Sequence, residues 1–316
     1  MCYVSIKIDG KEIKAQKDSF VLDVARENGI EIPSLCYDPS LEKFGGCRLC
    51  IVEITNNGWT KIDTSCSTKV KDGMEIKTSS KNLIKKRKGI LQLLLDSHPN
   101  DCLTCQKAGE CLLQKYAYDY DVNFRDIDGE KREKFYDLSS PYIMKDNAKC
   151  ILCGKCVSIC GQIEDRSILS FANRGYDTYI ACDLGEDFAH SYCISCNRCV
   201  SICPVGALTD KRILGKVRSF DSDKKTVKCK VCEFGCDFEI YSKNGNNIAV
   251  IAKKPSDGRP LCLKGRMMTE LLYLDNPDTP YIKTSGEFIE SDWITVTGFK
   301  NVFKKISKLE KKNEGE

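Results

Sequence analysis

The chain opens on a strict alternation of apolar and polar residues, Val4-Ser5-Ile6-Lys7-Ile8, which predicts a half-buried strand. Asp9-Gly10 supplies a two-residue turn, and residues 11–15 alternate again, so a hairpin is expected. Helical spacing follows over residues 21–28, with Ser19 expected as the cap and Gly29 as the stop. Residues 83–96 read as a second helix, basic and then apolar, packed on a neighbouring domain. Residues 237–241 and 247–251 again alternate as strands. Between these lie a partly helical connector over 116–142, rich in Asp, Arg and Tyr, and a linker over 210–228. The basic runs 81–88 and 304–312 read as solvated faces, and residues 298–309 as helix-like. No apolar run has the length that spans a bilayer.

Length alone suggests about two domains. Cysteine changes that picture, with 21 in 316 residues. The first residues carry no basic stretch followed by an apolar core, so a secretory leader is not expected, and a disulfide scaffold with it. A cytoplasmic setting and metal-bound thiols are expected instead. Lys and Arg number 49 against 45 Asp and Glu, a near balance that gives no case for nucleic acid.

The thiols fall into blocks. Cys150, Cys153, Cys156 and Cys160 repeat the spacing of Cys193, Cys196, Cys199 and Cys203, and Pro204 follows the second run. Both read C-x2-C-x2-C-x3-C, the two-cluster bacterial ferredoxin pattern, in which the fourth Cys serves the other cluster. Set A is therefore Cys150, Cys153, Cys156 and Cys203, and set B is Cys193, Cys196, Cys199 and Cys160; the fourth Cys of each run is expected to begin a helix leading across. Zinc is the alternative, but its sites usually pair two knuckles rather than two runs of four. Cys36, Cys47, Cys50 and Cys66 follow the first hairpin and helix in the order of a plant-type ferredoxin β-grasp, with a longer first gap. They read as a 2Fe-2S site, with Gly45-Gly46 letting the backbone approach it and aim N–H groups at sulfur; four buried thiols are the alternative. Cys102, Cys105 and Cys111 need a fourth ligand, and His98 stands four residues before the first of them. The ligating ring nitrogen must be unprotonated, and the other ring N–H should donate to a carbonyl or carboxylate, with Asp101 as a nearby candidate. Cys229, Cys232, Cys236 and Cys262 taken alone fit a zinc ribbon or an iron–sulfur site. Cys2 and Cys182 are left as ordinary free thiols.

The ordered set resembles the large iron–sulfur subunit of respiratory complex I, and equally the N-terminal electron-transfer region of iron-only hydrogenases and of NAD-linked formate dehydrogenase α chains. The motifs that carry it are residues 33–37, 46–53, 98–114, both ferredoxin runs, and 261–266. The resemblance implies an α+β fold class, a string of small iron–sulfur domains. These are a β-grasp 2Fe-2S ferredoxin over 1–80, a 4Fe-4S domain with one His and three Cys ligands over 81–120, a connector over 121–145, a two-4Fe-4S ferredoxin over 146–212, a molybdopterin-oxidoreductase-type 4Fe-4S domain over 222–278, and a truncated tail over 279–316. It implies one 2Fe-2S and four 4Fe-4S clusters, with His98 and Cys229, Cys232, Cys236 and Cys262 as ligands. Lys264 matches the lysine that bridges cluster and pterin, but no pterin domain fits after it; a relic or solvated residue is expected. No molybdopterin, flavin or hydrogenase active-site cluster is expected in this chain, nor a nucleotide fingerprint.

The expected role is a non-catalytic subunit passing single electrons in a soluble NAD(P)-linked complex, electron-bifurcating in one form. Its implied partners are a flavin- and NAD(P)-binding subunit, a small thioredoxin-like 2Fe-2S subunit, and a terminal redox enzyme or ferredoxin. A stand-alone polyferredoxin and a zinc-rich scaffold are the competing readings.

Overall fold

β1 (Tyr3–Ile8) and β2 (Lys11–Gln16) pair antiparallel from Tyr3↔Gln16 to Ile8↔Lys11, the hairpin that the alternation predicts. Their inward residues Ile6, Ile8, Ile13 and Ala15 share a core with Val21, Leu22, Val24 and Ala25 of α1 (Val21–Glu27). Ser19 does not cap this helix. Phe20 takes the cap position without a side-chain bond, and the Ser19 hydroxyl, one residue earlier, donates to the Gln16 carbonyl at 2.6 Å. Gly29 does stop it: with φ +73° it lets Ile30 N–H reach the Ala25 carbonyl at 2.8 Å. β3 (Ile51–Asn56), β4 (Trp59–Thr64) and β5 (Glu75–Lys77) complete a sheet ordered β2-β1-β5-β3-β4, with β1 and β5 parallel. The computed structural model describes residues 2–123, 125, 135–253 and 262–298.

α2 (Lys81–Asp96) starts on Ser80, whose hydroxyl accepts Leu83 N–H at 3.1 Å. Its basic run is not wholly solvated. Arg87 is buried and donates to the carbonyls of Leu49 at 3.2 Å and Ile51 at 2.6 Å, fastening the helix to the first sheet. α3 (Leu112–Asp119) packs beside it.

Two similar halves follow. β6 (Tyr136–Asp137), β7 (Ile143–Asp146), α4 (Lys155–Ser158), β8 (Leu169–Ala172), β9 (Tyr179–Cys182), α5 (Arg198–Ile202) and β10 (Leu208–Asp210) form a sheet ordered β10-β7-β6 and a β8–β9 hairpin around two short helices. The third Cys of each run, Cys156 or Cys199, lies on a helix; the fourth does not begin one. Cys160 sits in a wide turn, Ile159–Ile163, that continues α4, and Cys203 closes α5. Helical rise from the third Cys carries the fourth to the far end, which is why it faces the other half.

β11 (Asp223–Lys228), β12 (Asp237–Lys243) and β13 (Asn246–Ala252) form an antiparallel sheet, so the linker stops short of β11. α6 (Leu263–Tyr273) leaves Cys262, and a hairpin of β14 (Tyr281–Thr284) and β15 (Glu287–Glu290) leads to α7 (Trp293–Thr297). The helix-like reading of 298–309, apart from Gly298, and the basic run 304–312 lie outside the described residues.

These α+β modules are packed together. One continuous core takes Leu35 and Leu49 from the first module, Leu91 and Leu113 from α2 and α3, Val205 from the ferredoxin halves and Met267 from α6. Tyr142 is its pin. Its hydroxyl accepts Tyr281 N–H at 2.7 Å, and the guanidinium groups of Arg212 and Arg266 lie over its ring at 4.8 and 5.3 Å.

Candidate metal centres

No disulfide pairing is present among the 21 cysteines. Cys36, Cys47, Cys50 and Cys66 converge beneath the first sheet as two pairs. The Cys36 thiol donates to the Cys47 sulfur at 3.3 Å, and this bond holds Cys47 low, at about 6, while Cys36 is pushed far up. Cys66 donates likewise to Cys50, which sits at about 7. The loop with left-handed Gly45 lets Leu35 N–H and Cys47 N–H each point at a sulfur, both at 3.5 Å.

His98 follows the end of α2 and is 7% exposed. Burial holds its acidity at about 4, so the ring is neutral at neutral pH. Its Nε2 is buried with no hydrogen-bond partner among the described residues. Asp101 is not the acceptor for the other nitrogen: Nδ1 receives Asn100 N–H at 3.2 Å, and Asp101 pairs with the Lys149 ammonium at 2.9 Å. A nearby cation outcompetes a neutral ring for a carboxylate. Cys102, Cys105 and Cys111 are gathered close enough to act on one another's ionisation, and burial pushes Cys111 up to about 11. Cys111 also caps α3, its sulfur accepting Gln114 N–H at 3.5 Å.

The two ferredoxin runs exchange partners in space. Cys156 feels Cys153, Cys150 and Cys203, whereas Cys196 feels Cys193 and Cys160. Burial drives Cys153 and Cys196 up to about 12, and holds Cys156 and Cys199 well above the ordinary thiol value. In the last block, Cys229 N–H bonds the Cys236 carbonyl at 2.8 Å. A Cβ on Gly265 would meet the sulfurs of Cys229 and Cys262 at 3.1 and 3.3 Å, so those two thiols share one cradle; Cys232 is exposed but acts on Cys229. Lys264 is exposed, near Gly298. Cys2 is exposed at the edge of the first module; Cys182 is buried and neutral, its thiol at about 12 through burial.

The residues fit charged cofactors. A desolvated thiol with its ionisation near 12 is a poor thiolate by itself, and a bound cation would supply the missing charge. Among the described residues no three donors close on one point as a single ion would need.

Four family models match the chain in order. They are a 2Fe-2S iron-sulfur cluster binding domain over 2–81, the NADH-ubiquinone oxidoreductase-G iron-sulfur binding region over 87–125, the ferredoxin-like domain of NADH-quinone oxidoreductase subunit 3 over 140–209, and the molybdopterin oxidoreductase Fe4S4 domain over 222–274. A crystal structure of an NAD+-reducing [NiFe]-hydrogenase in the H2-reduced state superposes with a TM-score of 0.61 at 30% identity, covering 68% of this chain and 90% of that one. The chain belongs to the iron–sulfur electron-transfer family of complex I and the NAD(P)-linked hydrogenases. Within this family it is 34% identical over 301 residues to the NADPH-Fe(3+) oxidoreductase subunit alpha of Geobacter sulfurreducens, covering 93% of this chain and 34% of that protein. It is 36% identical over 223 residues to the NADP-reducing hydrogenase subunit HndD of Solidesulfovibrio fructosivorans, covering 69% and 38%. It is 31% identical over 298 residues to an NADH-quinone oxidoreductase chain of Streptomyces coelicolor, covering 92% and 35%. The chain thus spans about a third of the length of these curated family members. It carries domains for a 2Fe-2S cluster and for several 4Fe-4S clusters. No helix among the described residues is long and apolar enough to cross a membrane.

Three site features escaped the sequence reading. Gly206 lies against Cys105, buried Lys155 is within electrostatic reach of the first thiol quartet and set A, and buried Arg198 within reach of set B and the last block. The last two had a signal: each run places a basic residue immediately before its third Cys.

Proposed function

We propose that this chain relays single electrons between a flavin- and NAD(P)-binding partner subunit and a further redox site in an oxidoreductase complex. That site is a hydrogenase, a formate dehydrogenase or a ferredoxin, and an electron-bifurcating complex is one form of it. The carrying observation is that five donor sets stand in neighbouring modules joined by a shared core, with most of their thiols buried or half-buried and Cys232 and Cys262 exposed. The first quartet adjoins set A through Lys155. The His98 set adjoins the ferredoxin halves where Leu112 N–H bonds the Pro204 carbonyl at 2.9 Å. Set B adjoins the last block through Arg198.

The ligand sets we assign are Cys36, Cys47, Cys50 and Cys66 for a 2Fe-2S cluster, and four sets for 4Fe-4S clusters. These four are His98 with Cys102, Cys105 and Cys111; set A; set B; and Cys229, Cys232, Cys236 and Cys262. When bound, the clusters supply one-electron redox centres in series. The chain's own residues do the rest. Their thiols give up protons on loading, His98 offers a neutral nitrogen, and buried cations offset the thiolate charge. Two runs of four thiols favour polynuclear cofactors over single zinc ions in the ferredoxin halves.

The test is anaerobic isolation with iron, sulfide and zinc analysis, then reduction by NAD(P)H with and without the co-purifying flavoprotein. The expected content is about 18 irons per chain, from one two-iron and four four-iron clusters, with reduction only when the flavoprotein is present. Zinc in the last block would remove one cluster. A chain that purifies alone and exchanges electrons with many unrelated proteins would favour a stand-alone carrier instead.

A further inference from the structure

The two ferredoxin runs are alike beyond their thiols. Leu152 and Ser195 have φ of +53° and +54°, and Gly154 and Asn197 have φ of +75° and +61°. Each half therefore turns through the same left-handed steps, and each presents one basic residue at the same place, Lys155 or Arg198. Both are buried, at 7% and 1% exposure, where an unpaired charge is costly.

Their surroundings differ in a regular way. The Lys155 ammonium acts on Cys153 and Cys203 of set A, and also on Cys36 and Cys47 of the neighbouring module. The Phe44 ring reinforces that seam: a Cβ on Gly154 would meet it at 3.3 Å, and Gly46, the residue before Cys47, also lies against it. The Arg198 guanidinium acts on Cys196 of set B and on Cys236 of the last block. Here too the modules are in contact: Cys193 and Ile194 line a cleft of about 310 Å³ with Leu263 and Lys264 of α6. Arg198 Nε pairs with buried Glu164 at 3.2 Å. Its Nε, Nη1 and Nη2 are all buried without a hydrogen-bonded acceptor among the described residues, so Glu164 is an ion-pair partner only. A guanidinium has five N–H donors, and one carboxylate does not occupy them.

We infer that Lys155 and Arg198 are paired positioning residues, each shared by two cofactors: Lys155 by those of the first quartet and set A, Arg198 by those of set B and the last block. Each offers positive charge and N–H groups to the sulfur-rich cofactors on both sides of its seam. Positive charge and hydrogen bonds to sulfur favour the reduced state, so each residue raises the potentials of its two neighbours together. The repeated turn makes the arrangement symmetric, with one cation facing out of each end of the ferredoxin halves.

This inference rests on the iron–sulfur reading of the thiol sets. It is tested on the full chain, anaerobically loaded, by potentiometric titration followed by paramagnetic resonance, with iron and sulfide analysis alongside. Lys155→Met is expected to lower the potentials of the first quartet and set A only, and Arg198→Met those of set B and the last block only. Lys155→Arg, which keeps the charge, is expected to leave them nearly in place. Glu164→Gln removes the anion on Arg198 and is expected to raise the potentials of set B and the last block. If a methionine variant fails to load, the Glu164→Gln shift decides. Unmoved potentials in the loaded variants, or a shift confined to the run that carries the substitution, would overturn the inference. Wild-type protein lacking iron in these sets would instead overturn the iron–sulfur reading.

Discussion

Gly206 and Cys105 are in such close contact that a Cβ on the glycine would lie 2.6 Å from the sulfur. Gly206 belongs to the ferredoxin halves and Cys105 to the His98 set, so the two modules touch here as well as at Leu112–Pro204 and Asp101–Lys149. No side chain of any size fits there. Gly206→Ala is expected to push Cys105 out of place and destabilise the chain by about 1–3 kcal/mol, as overpacking does. The loaded variant should lose about four irons, those of the His98 set, while sets A and B keep theirs. Iron analysis with paramagnetic resonance checks this; full iron content would refute it.

Cys160 and Cys203 should report on each other's runs. Cys203 acts on Cys153 and Cys156, and Cys160 acts on Cys193, Cys196 and Cys199. Cys160→Ser is therefore expected to damage the cofactor of set B, although Cys160 stands in the first run. Cys203→Ser should damage that of set A. Spectra of the two single variants settle the assignment, and loss confined to the variant's own run would reverse it.

The pH dependence of the His98 set follows from burial. Burial lowers the histidine from 6.5 to about 4, so the folded chain binds this proton less readily than the unfolded one. Stability from the neutral ring is complete above about 6.5 and is lost as pH falls toward 4. Iron at a ring nitrogen would add to the loss in the same direction, because protons compete for it. Stepwise acidification should release the iron of this set in that window. His98→Cys should remove the step, and an unchanged profile would exclude His98 as a ligand.

Cys182 offers the opposite control. It is 1% exposed, close to Cys193 and Lys145, yet outside both donor sets. Cys182→Ala should keep all the iron and cost about 1–2 kcal/mol for the small cavity. Loss of a cluster signal would make it a ligand after all.

The first hairpin, α1 and the strands around the last block were legible because alternation and turn residues are local. Ser19 shows the limit of that logic. A hydroxyl near a helix start can accept a backbone N–H as a cap or donate to a nearby carbonyl, and here it donates to Gln16. The fourth thiols do face the neighbouring half in space, but by a different route from the one their spacing suggests, since helices carry the third thiol and end near the fourth. The contact of Gly206 with Cys105 was invisible, because no residue pattern tells a glycine that a sulfur 101 positions earlier will press on it. Lys155 and Arg198 were in plain view as a repeat, but only burial gave them meaning.

Arg87 has a consequence for how the molecule behaves in time. By bonding Leu49 and Ile51 from inside α2, next to Cys50, it clamps the first module to the helix that ends at His98. A small ferredoxin on a free tether would carry charge by swinging between docking stations, and its throughput would depend on viscosity and linker length. Here the first module is riveted to α2, so the separation between its donor set and the His98 set is held by the fold. Conduction of this kind behaves as a wire rather than a ferry: indifferent to viscosity, and sensitive to any substitution that changes a distance by an ångström.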